Sequence, residues 1–193
     1  MSKLEANQVD PATGTTLTLG TSGDTISIPS GVTIANSGTA TGFGGTNTPS
    51  FMVLLASSQS INSGTSTVIA FDTEIFDTNN AVSSGVFTVP SGEAGKYFFA
   101  ANGGLNTGNN VGYVNIWLSK NSQTTIASTN GEAIGIEFYH AGVDGDTNHI
   151  NQVSGTFDLA VGDTVRVYMV HNYGSAKDSA IGGRFTFSGH KLL

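Results

Sequence analysis

The sequence contains no cysteine, and this absence excludes disulfide frameworks, thiolate zinc sites and cysteine nucleophiles. Charged residues are also scarce: they make up 11% of the chain, against roughly 25% in ordinary soluble domains. The formal net charge is −7 and Lys and Arg form no cluster, so we do not expect nucleic acid as a partner.

Long apolar runs are missing as well. Residues 1–10 lack the apolar stretch of a signal peptide, and no segment approaches the roughly 18 apolar residues of a membrane span. We therefore expect synthesis in a cytoplasm and no membrane partner.

Signatures of catalysis are also absent from the sequence. There is no Gly-x-Ser-x-Gly elbow, no His-Glu-x-x-His and no Gly-Lys-Ser/Thr phosphate loop. Glu132 with Glu137, or Asp144 with Asp146, is the type of carboxylate pair that a glycosidase needs. Polysaccharide depolymerases generally use long grooves on large scaffolds, so we expect no enzyme, no catalytic residue and no cofactor, and a depolymerase remains only the third alternative.

The residues that are abundant indicate a folded β protein. The chain has 26 Gly, 11 Phe and 5 Tyr, whereas disordered chains have few aromatic residues. Short segments that alternate apolar with polar residues are separated by Gly, Asn, Asp, Ser and Pro, which is the pattern of strands with one buried face. In the larger part of the chain these segments are 51–55, 67–71, 85–89, 96–100, 111–118, 134–139, 155–159, 164–170 and 184–187. Roughly eight to ten strands at this spacing predict an all-β sandwich or jelly roll.

The N-terminal quarter of the chain has a different pattern. Very short alternating segments are found there at 17–19, 26–28 and 32–34. A ribbon of such strands is marginal in water, so it must pack on other subunits or on a larger assembly, unless it is a flexible tail. Residues 38–45 have the composition of a hinge. We predict an extended, β-rich stem with a Gly-rich linker over residues 1–48, and a head over residues 49–193.

Four blocks of the head carry a resemblance to a known family. Residues 68–72 read VIAFD, residues 85–99 read GVFTVPSGEAGKYFF, residues 159–167 read LAVGDTVRV and residues 185–193 read FTFSGHKLL. In content and order these blocks resemble the globular head of the complement-subcomponent family, a branch of the tumour-necrosis-factor-like jelly rolls. Relative to that pattern, Glu93 and Ala94 look like an insertion.

The resemblance implies a jelly-roll head that forms a homotrimer through apolar faces around a threefold axis. Aromatic residues of the head, Tyr97, Phe99 and Tyr168, are then candidates for the core or the trimer interface. Trp117 is a further candidate, because a lone Trp in a strand lies more often in the core or at a subunit interface than against a bound sugar.

The N-terminal segment carries a second resemblance. Residues 11–20, PATGTTLTLG, and residues 26–31, ISIPSG, resemble the leading segments of tail-fibre and other virion proteins of bacteriophages. This resemblance implies a place on the virion surface, with residues 1–48 bound to other capsid or tail proteins. An extended chain spans only about 3.3 Å per residue, so a stem of this length cannot form a long shaft. We therefore expect a structural protein, either a capsid decoration (cement) protein or a short tail fibre.

Two metal hypotheses arise from the residue types. Asp144, Asp146 and Asn148 offer oxygen ligands at alternate positions, as a calcium loop requires, although these residues are equally typical of a surface turn. Histidines could also gather around a metal, but no two of them have the i, i+2 spacing that places side chains together on one strand. Ordinary histidines are the favoured interpretation of His140, His149, His171 and His190.

Three residues are candidates for a recognition surface. Tyr139, His140 and Tyr173 stand next to polar loops, and amphipathic side chains suit partly wet contacts. They belong to the alternative function, in which the head is a receptor-binding module that contacts glycans on the host cell.

Overall fold

The structure is a computed structural model that describes residues 9–35, 37, 47–106, 111–126, 131–141, 148–179 and 185–192. The chain divides into two compact units, Met1–Phe43 and Gly44–Leu193, whereas the boundary at residue 48 stays a prediction. None of the described residues is helical, and accordingly no helix among them is long and apolar enough to cross a membrane.

The described part of the second unit, called the head, is built of β-strands. In chain order these are β1 Ser50–Leu54, β2 Ser60–Ile61, β3 Thr67–Val68, β4 Thr73–Asp77, β5 Val82–Ser83, β6 Val86–Thr88, β7 Gly95–Asn106, β8 Val111–Lys120, β9 Ala133–Ala141, β10 Asn148–Leu159, β11 Thr164–His171, β12 Lys177–Asp178 and β13 Thr186–Lys191.

The strands form two main antiparallel sheets. The five-stranded sheet has the order β10-β7-β13-β1-β4, and the six-stranded sheet has the order β5-β6-β11-β8-β9 with β3 paired to β11. Neighbouring strands come from distant parts of the chain: β13, near the C-terminus, lies between β1 and β7. This is a jelly-roll arrangement, and the predicted all-β fold class is confirmed.

Period-2 alternation decides which side chains enter the core. In β1 the buried residues are Phe51 and Val53, and in the first half of β7 they are Tyr97, Phe99 and Ala101. Since successive side chains of a strand point to opposite faces, the buried sets of the two sheets meet in one shared core.

Phenylalanine rings fill the centre of this core. The centroid of the Phe99 ring lies 5.3 Å from that of Phe87, 5.9 Å from that of Phe187 and 6.2 Å from that of Phe51. Burying one such ring stabilises the fold by about 1.5–3 kcal/mol. A Cβ at Gly189 would stand 2.4 Å from the Phe99 ring, so β13 can approach the cluster only because residue 189 has no side chain.

Glu93 and Ala94, the apparent insertion after Pro90, belong to a tight turn between β6 and β7. The Glu93 amide donates a hydrogen bond to the Pro90 carbonyl at 3.1 Å, and the buried Tyr97 hydroxyl donates one to the Glu93 carbonyl. The Glu93 carboxylate pairs with Lys191 at 2.9 Å. The turn is thereby fastened to β13, and burial raises the pKa of Tyr97 to about 12.

The first unit contains turns. In one of them the Asp24 amide donates a hydrogen bond to the Thr21 carbonyl at 3.0 Å, and the Asp24 carboxylate accepts one from the Thr21 amide at 2.7 Å. In a second turn the Val32 amide donates to the Pro29 carbonyl at 3.2 Å. Gly31 has a φ of +85° in this turn, a conformation that glycine adopts at little cost.

The β-rich character predicted for the stem is not present in the single chain. Residues 9–35 and 37 contain no strand, and the predicted strands were at 17–19, 26–28 and 32–34. Strands of three residues are marginal without a partner layer, and the described residues of the stem supply none.

Candidate functional site

The outer face of the six-stranded sheet, on the side away from the core, carries the candidate site. On β8 the core-facing residues Val114, Ile116 and Leu118 are 0% exposed, so the alternate side chains point outward. The pairing of β8 with β9 and β11 arranges these outward side chains in rows across the sheet. One row consists of Tyr168, Trp117 and Gly135, the next of Val170, Asn115 and Glu137, and a third of Tyr113 and Tyr139.

Trp117 is buried on this outer face, apart from the central core. Its indole stacks on the Tyr168 ring, with ring centroids 5.3 Å apart and planes inclined by 9°. The segment after β8 folds back over the indole, and Trp117 Nε1 donates a hydrogen bond to the Gln123 carbonyl at 3.1 Å. Both faces of β8 are therefore buried at Trp117, which explains why its sequence breaks strict alternation.

Residues 121–126, called the covering segment, are held at several points. The Gln123 side chain donates a hydrogen bond to the Glu132 carboxylate at 2.9 Å, and Ser66 Oγ donates one to the Thr124 carbonyl at 2.9 Å. Ile126, the last residue of the covering segment, packs against β9 at Gly135. Its Cδ1 lies 2.5 Å from the position that a Cβ on Gly135 would occupy. The covering segment thus shields the Trp117 indole from solvent.

A polar cluster at Asp163 fixes the start of the covering segment. The Asp163 carboxylate accepts hydrogen bonds from the Asn121 side chain at 2.9 Å and the Ala160 amide at 2.9 Å, and it pairs with Lys120 at 3.0 Å. These contacts, the Asn121 hydrogen bond first, lower the pKa of Asp163 to about 2. The turn between β10 and β11 and the segment after β8 are therefore locked together by one carboxylate.

Beyond the Trp117 row the outer face is open. Tyr139 is 65% exposed and lies directly opposite the half-buried Tyr113, and the exposed Glu137 lies directly opposite Asn115. Asn115 is only 7% exposed, and its Oδ1 is buried without a hydrogen-bond partner in the described part of the chain. These four residues, called the open patch, combine two aromatic rings, a carboxylate and an unsatisfied hydrogen-bond acceptor.

Tyr173 lies in a buried cluster with His171 and not on the surface. Tyr173 is 8% exposed, and its ring centroid lies 5.3 Å from that of the imidazole. His171 Nδ1 accepts a hydrogen bond from the Tyr173 amide at 3.2 Å, so Nε2 carries the proton and donates to the Ile61 carbonyl at 2.9 Å. Burial lowers the pKa of His171. The prediction that Tyr173 belongs to a recognition surface is wrong, because its ring covers the imidazole.

The other aromatic candidates occupy two environments. Tyr97 and Phe99 are 0% exposed and lie in the core of the single subunit. Trp117 and Tyr168 are buried together on the outer face, at 1% and 5% exposure. Of the predicted recognition set, Tyr139 is exposed.

The calcium hypothesis falls outside the described residues, since these do not include Asp144, Asp146 or the side chain of Asn148. The side chain of His140, a candidate for the recognition surface, also lies outside them. Among the residues that the structure does describe, no three His, Asp or Glu side chains come together in a way that could hold a metal ion.

Sequence analysis missed Tyr113 and Asn115, and it identified Glu137 only as a possible partner of Glu132. The signal that reveals the open patch is strand register. When residues 111–118 and 133–139 are paired as antiparallel strands, alternate residues of both segments share one face. That register depends on the length and path of the connection between the strands, which periodicity does not specify.

Comparison with known proteins supports the fold. No protein-family model matches the chain, and no curated protein matches it. Among solved structures, murine APRIL at pH 8.0 aligns with a TM-score of 0.50 and 13% identity over 74% of this chain and 98% of that chain. Murine APRIL at pH 5.0 aligns with a TM-score of 0.50 and 14% identity over the same shares of 74% and 98%.

The globular domain of zebrafish complement 1qA protein aligns with a TM-score of 0.48 and 18% identity, over 75% of this chain and 98% of that chain. The likeness to APRIL shows the fold alone. The resemblance of the N-terminal segment to virion proteins stays a prediction. What the comparisons establish is that this chain carries a jelly-roll head of the tumour-necrosis-factor-like type.

Proposed function

We propose that the chain is a non-enzymatic structural protein of a bacteriophage particle. In this proposal it forms a homotrimer whose head is exposed on the virion surface, while residues 1–48 bind other virion proteins. Its role is that of a capsid decoration (cement) protein or a short tail fibre. The observation that carries the homotrimer is the outer surface of the five-stranded sheet, which is half-exposed in the single chain and suited to contact another subunit. The place on a virion is what the resemblance of residues 11–20 and 26–31 implies.

One row of this surface runs across all five strands. In the order of the strands it consists of Ser154, Ala100, Ser188, Met52 and Phe76. None of these residues is charged, and small side chains in the middle of the row keep the surface flat. Phe76, on the edge strand β4, is 45% exposed. Such a surface is typical of a subunit interface, whose centre is depleted of charge.

A second apolar region lies at the opposite edge of the head. Ile136 on β9 is 45% exposed and Ile150 on β10 is 49% exposed, where the edge strands of the two sheets adjoin. The apolar region at β4, which contains Phe76, and the one at β9 and β10, which contains Ile136 and Ile150, are two different surfaces of the same chain. Contact between two different surfaces is heterologous, and a heterologous contact that closes produces a ring such as a trimer.

The stem also exposes apolar side chains at alternate positions. Their exposed fractions range from 44% to 62%, and the residues are Leu17, Leu19, Ile26, Ile28, Val32 and Ile34. These residues form three pairs, each with one polar residue between its two members. In an extended backbone the two apolar side chains of a pair therefore point to the same side. This pattern supports the proposal that the stem binds a protein surface.

The oligomeric state tests the interface. Ala100→Glu places a charge in the middle of the five-stranded surface without entering the core, and Val161→Glu is the control, because Val161 is 52% exposed in a turn. By sedimentation equilibrium we expect the natural chain and Val161→Glu at three times 19.8 kDa and Ala100→Glu at or near the single-chain mass. A monomeric natural chain would contradict the trimer, and a trimeric Ala100→Glu would contradict this interface.

The anchoring role is tested on virions. The double variant Ile26→Asp with Ile28→Asp charges the apolar edge of the stem, and Thr25→Asp with Ser27→Asp charges the alternate, polar positions. Cryo-electron microscopy of particles should show head density with the second variant and none with the first. Density at capsid threefold axes identifies a decoration protein and density on the tail identifies a fibre. Equal incorporation of the two variants would refute anchoring by the stem.

A second candidate function is recognition of host-surface glycans, favoured by the exposed ring of Tyr139 in the open patch. For the third candidate, a depolymerase, the Glu132 and Glu137 pair is widely spaced along the chain. Glu137 lies on β9 and Glu132 directly precedes this strand, so an extended backbone places their Cα atoms about 16 Å apart, whereas glycosidases hold their two carboxyl groups no more than about 9.5 Å apart.

A further inference from the structure

We propose that the open patch, Tyr113, Asn115, Glu137 and Tyr139, binds a neutral hexopyranose unit of a cell-surface glycan. This inference rests on the second candidate function, glycan recognition, and is independent of the trimer and of anchoring by the stem.

The aromatic rings supply the apolar part of the site. Tyr139 and Tyr113 are directly opposite residues of β9 and β8, so their Cβ atoms are separated by only about 4.5–5.5 Å. The Tyr139 side chain is 65% exposed although a large aromatic group normally gains from burial. A pyranose ring has one face of C–H groups, and that face can cover the exposed aromatic ring while the sugar hydroxyls remain free to form hydrogen bonds.

The polar part of the site is an acceptor that the protein leaves unsatisfied. Buried polar atoms almost always have a hydrogen-bond partner, and an exception calls for an explanation. Asn115 Oδ1 is such an exception in the described part of the chain, and Asn115 follows Tyr113 by two residues on the same face of β8. Because Oδ1 is buried, a sugar hydroxyl can donate to it only when the side chains around Asn115 move apart on binding. The exposed Glu137 carboxylate, directly opposite, accepts from a second hydroxyl.

The covering segment limits the site on one side. Ile126 lies above Gly135, and Gly135 is two residues from Glu137 on the outer face of β9, or about 7 Å along the strand. The open patch is thus bounded on the Gly135 side by the apolar side chain of Ile126. A shallow site of this kind holds one sugar unit weakly, and several copies of the head on one particle would strengthen attachment by avidity.

The charge of the patch selects the class of sugar. Glu137 is acidic and the chain has a formal charge of −7, so sugars with a carboxylate, sulfate or phosphate are repelled. An outward cation, Arg166 on β11, is too far away to offset this charge. Val170 is the β11 neighbour of Asn115, and Arg166 lies four residues, or about 13 Å, from Val170 along the strand. Neutral hexoses are therefore the expected ligands.

The test uses the full chain and defined sugars. Methyl glycosides of glucose, galactose and mannose are titrated into the protein, with the methyl glycoside of galacturonic acid as the anionic probe. Tyrosine ring signals and saturation transfer are followed by NMR. We expect at least one neutral sugar to bind with a millimolar dissociation constant and to shift the Tyr139 ring, and we expect the anionic probe to bind at least tenfold more weakly than that sugar.

Variants locate the site. Tyr139→Ala should weaken binding about tenfold through loss of the ring, whereas Tyr139→Phe keeps the stacking surface and should change it less than threefold. Glu137→Gln should weaken binding, and Glu74→Gln, an exposed glutamate of the other sheet, is its matched control. Unchanged binding by Tyr139→Ala and Glu137→Gln would move glycan recognition elsewhere and overturn this site.

Two further outcomes would overturn the proposed binding of a neutral hexopyranose. One is that none of the neutral sugars binds, and the other is that the anionic sugar binds more tightly than they do. Sedimentation of the same samples keeps this result separate from the proposed structural role, since the head can fail to bind sugar while it remains a trimer, or bind sugar as a monomer.

Discussion

Gly135 lies directly opposite Trp117 in the pairing of β8 with β9, and a Cβ on Gly135 would stand 2.5 Å from Trp117 Cβ and 2.5 Å from Ile126 Cδ1. A single position without a side chain therefore allows the covering segment to close over the indole.

Gly135→Ala should lift the covering segment. Because the added methyl group has no space, we expect a loss of about 1–3 kcal/mol in the free energy of unfolding. Trp117 is the single tryptophan of the chain, so its fluorescence reports on this site alone, and its emission should move to longer wavelength as water reaches the indole. Thr124→Ala, an exposed position in the same segment, is the control and should leave the spectrum unchanged.

Trp117→Ala should be strongly destabilising, by about 3–5 kcal/mol, because it removes a fully buried ring and leaves a cavity beside Tyr168. Tyr139→Ala, on the same face but 65% exposed, should change stability by no more than about 0.5 kcal/mol. Urea unfolding followed by circular dichroism compares the two. Equal effects would mean that the covering segment does not bury the indole.

Asp163→Asn should reduce stability in a pH-dependent way. The folded state lowers the pKa of Asp163 from 3.8 to about 2, so its contribution is complete above pH 4 and is lost as the pH falls from 3.8 toward 2. We expect the variant to lose about 1–2 kcal/mol at neutral pH, allowing for partial solvent screening.

The control for that experiment is Asp158→Asn. The Asp158 side chain is 74% exposed in its pair with Lys96, so its removal should change stability by less than about 0.5 kcal/mol. If the difference between natural chain and Asp163→Asn were the same at pH 7 and pH 2, the carboxylate would not be the group that locks the covering segment.

His171 should make the head less stable in mild acid. Its pKa in the folded chain is lowered, first by burial and also by Lys177, whereas the imidazole of the unfolded chain protonates near 6.5. The unfolded state therefore binds more protons below that pH, and the free energy of unfolding should fall as the pH drops below 6.5. NMR titration of the His171 ring in the natural chain measures the pKa, and a value at or above 6.5 would contradict the buried, neutral arrangement.

The all-β class followed from local patterns alone. Alternation over residues 51–55, 96–100 and 164–170 predicts strands with one buried face; β7 and β11 include the second and third segments, and β1, Ser50–Leu54, includes all of the first except residue 55. The jelly roll in particular was implied by the resemblance to tumour-necrosis-factor-like heads, and the blocks that carry this resemblance contain the core rings Phe87, Tyr97, Phe99 and Phe187.

Other features could not be obtained from local patterns. Trp117 stands between Ile116 and Leu118 and Tyr173 between Asn172 and Gly174, but neither context reveals that one ring is stacked on Tyr168 under the covering segment and the other on a buried imidazole. The stem shows the converse: its alternation is that of strands, but strands of three residues need a partner layer that the described part of the single chain does not contain.

The sequence by itself determined the all-β class, the acidic and weakly charged character and the alternation that fills the core, because these depend on residue type and on a period of two. The tertiary structure alone decided which outward residues are neighbours. Asn115, Glu137, Tyr113 and Tyr139 form one patch only through the register of β8 with β9. Register is a long-range property: it depends on how the connecting residues cross the sheet, and a shift of β9 by one position would send Glu137 and Tyr139 to the face opposite Tyr113 and Asn115.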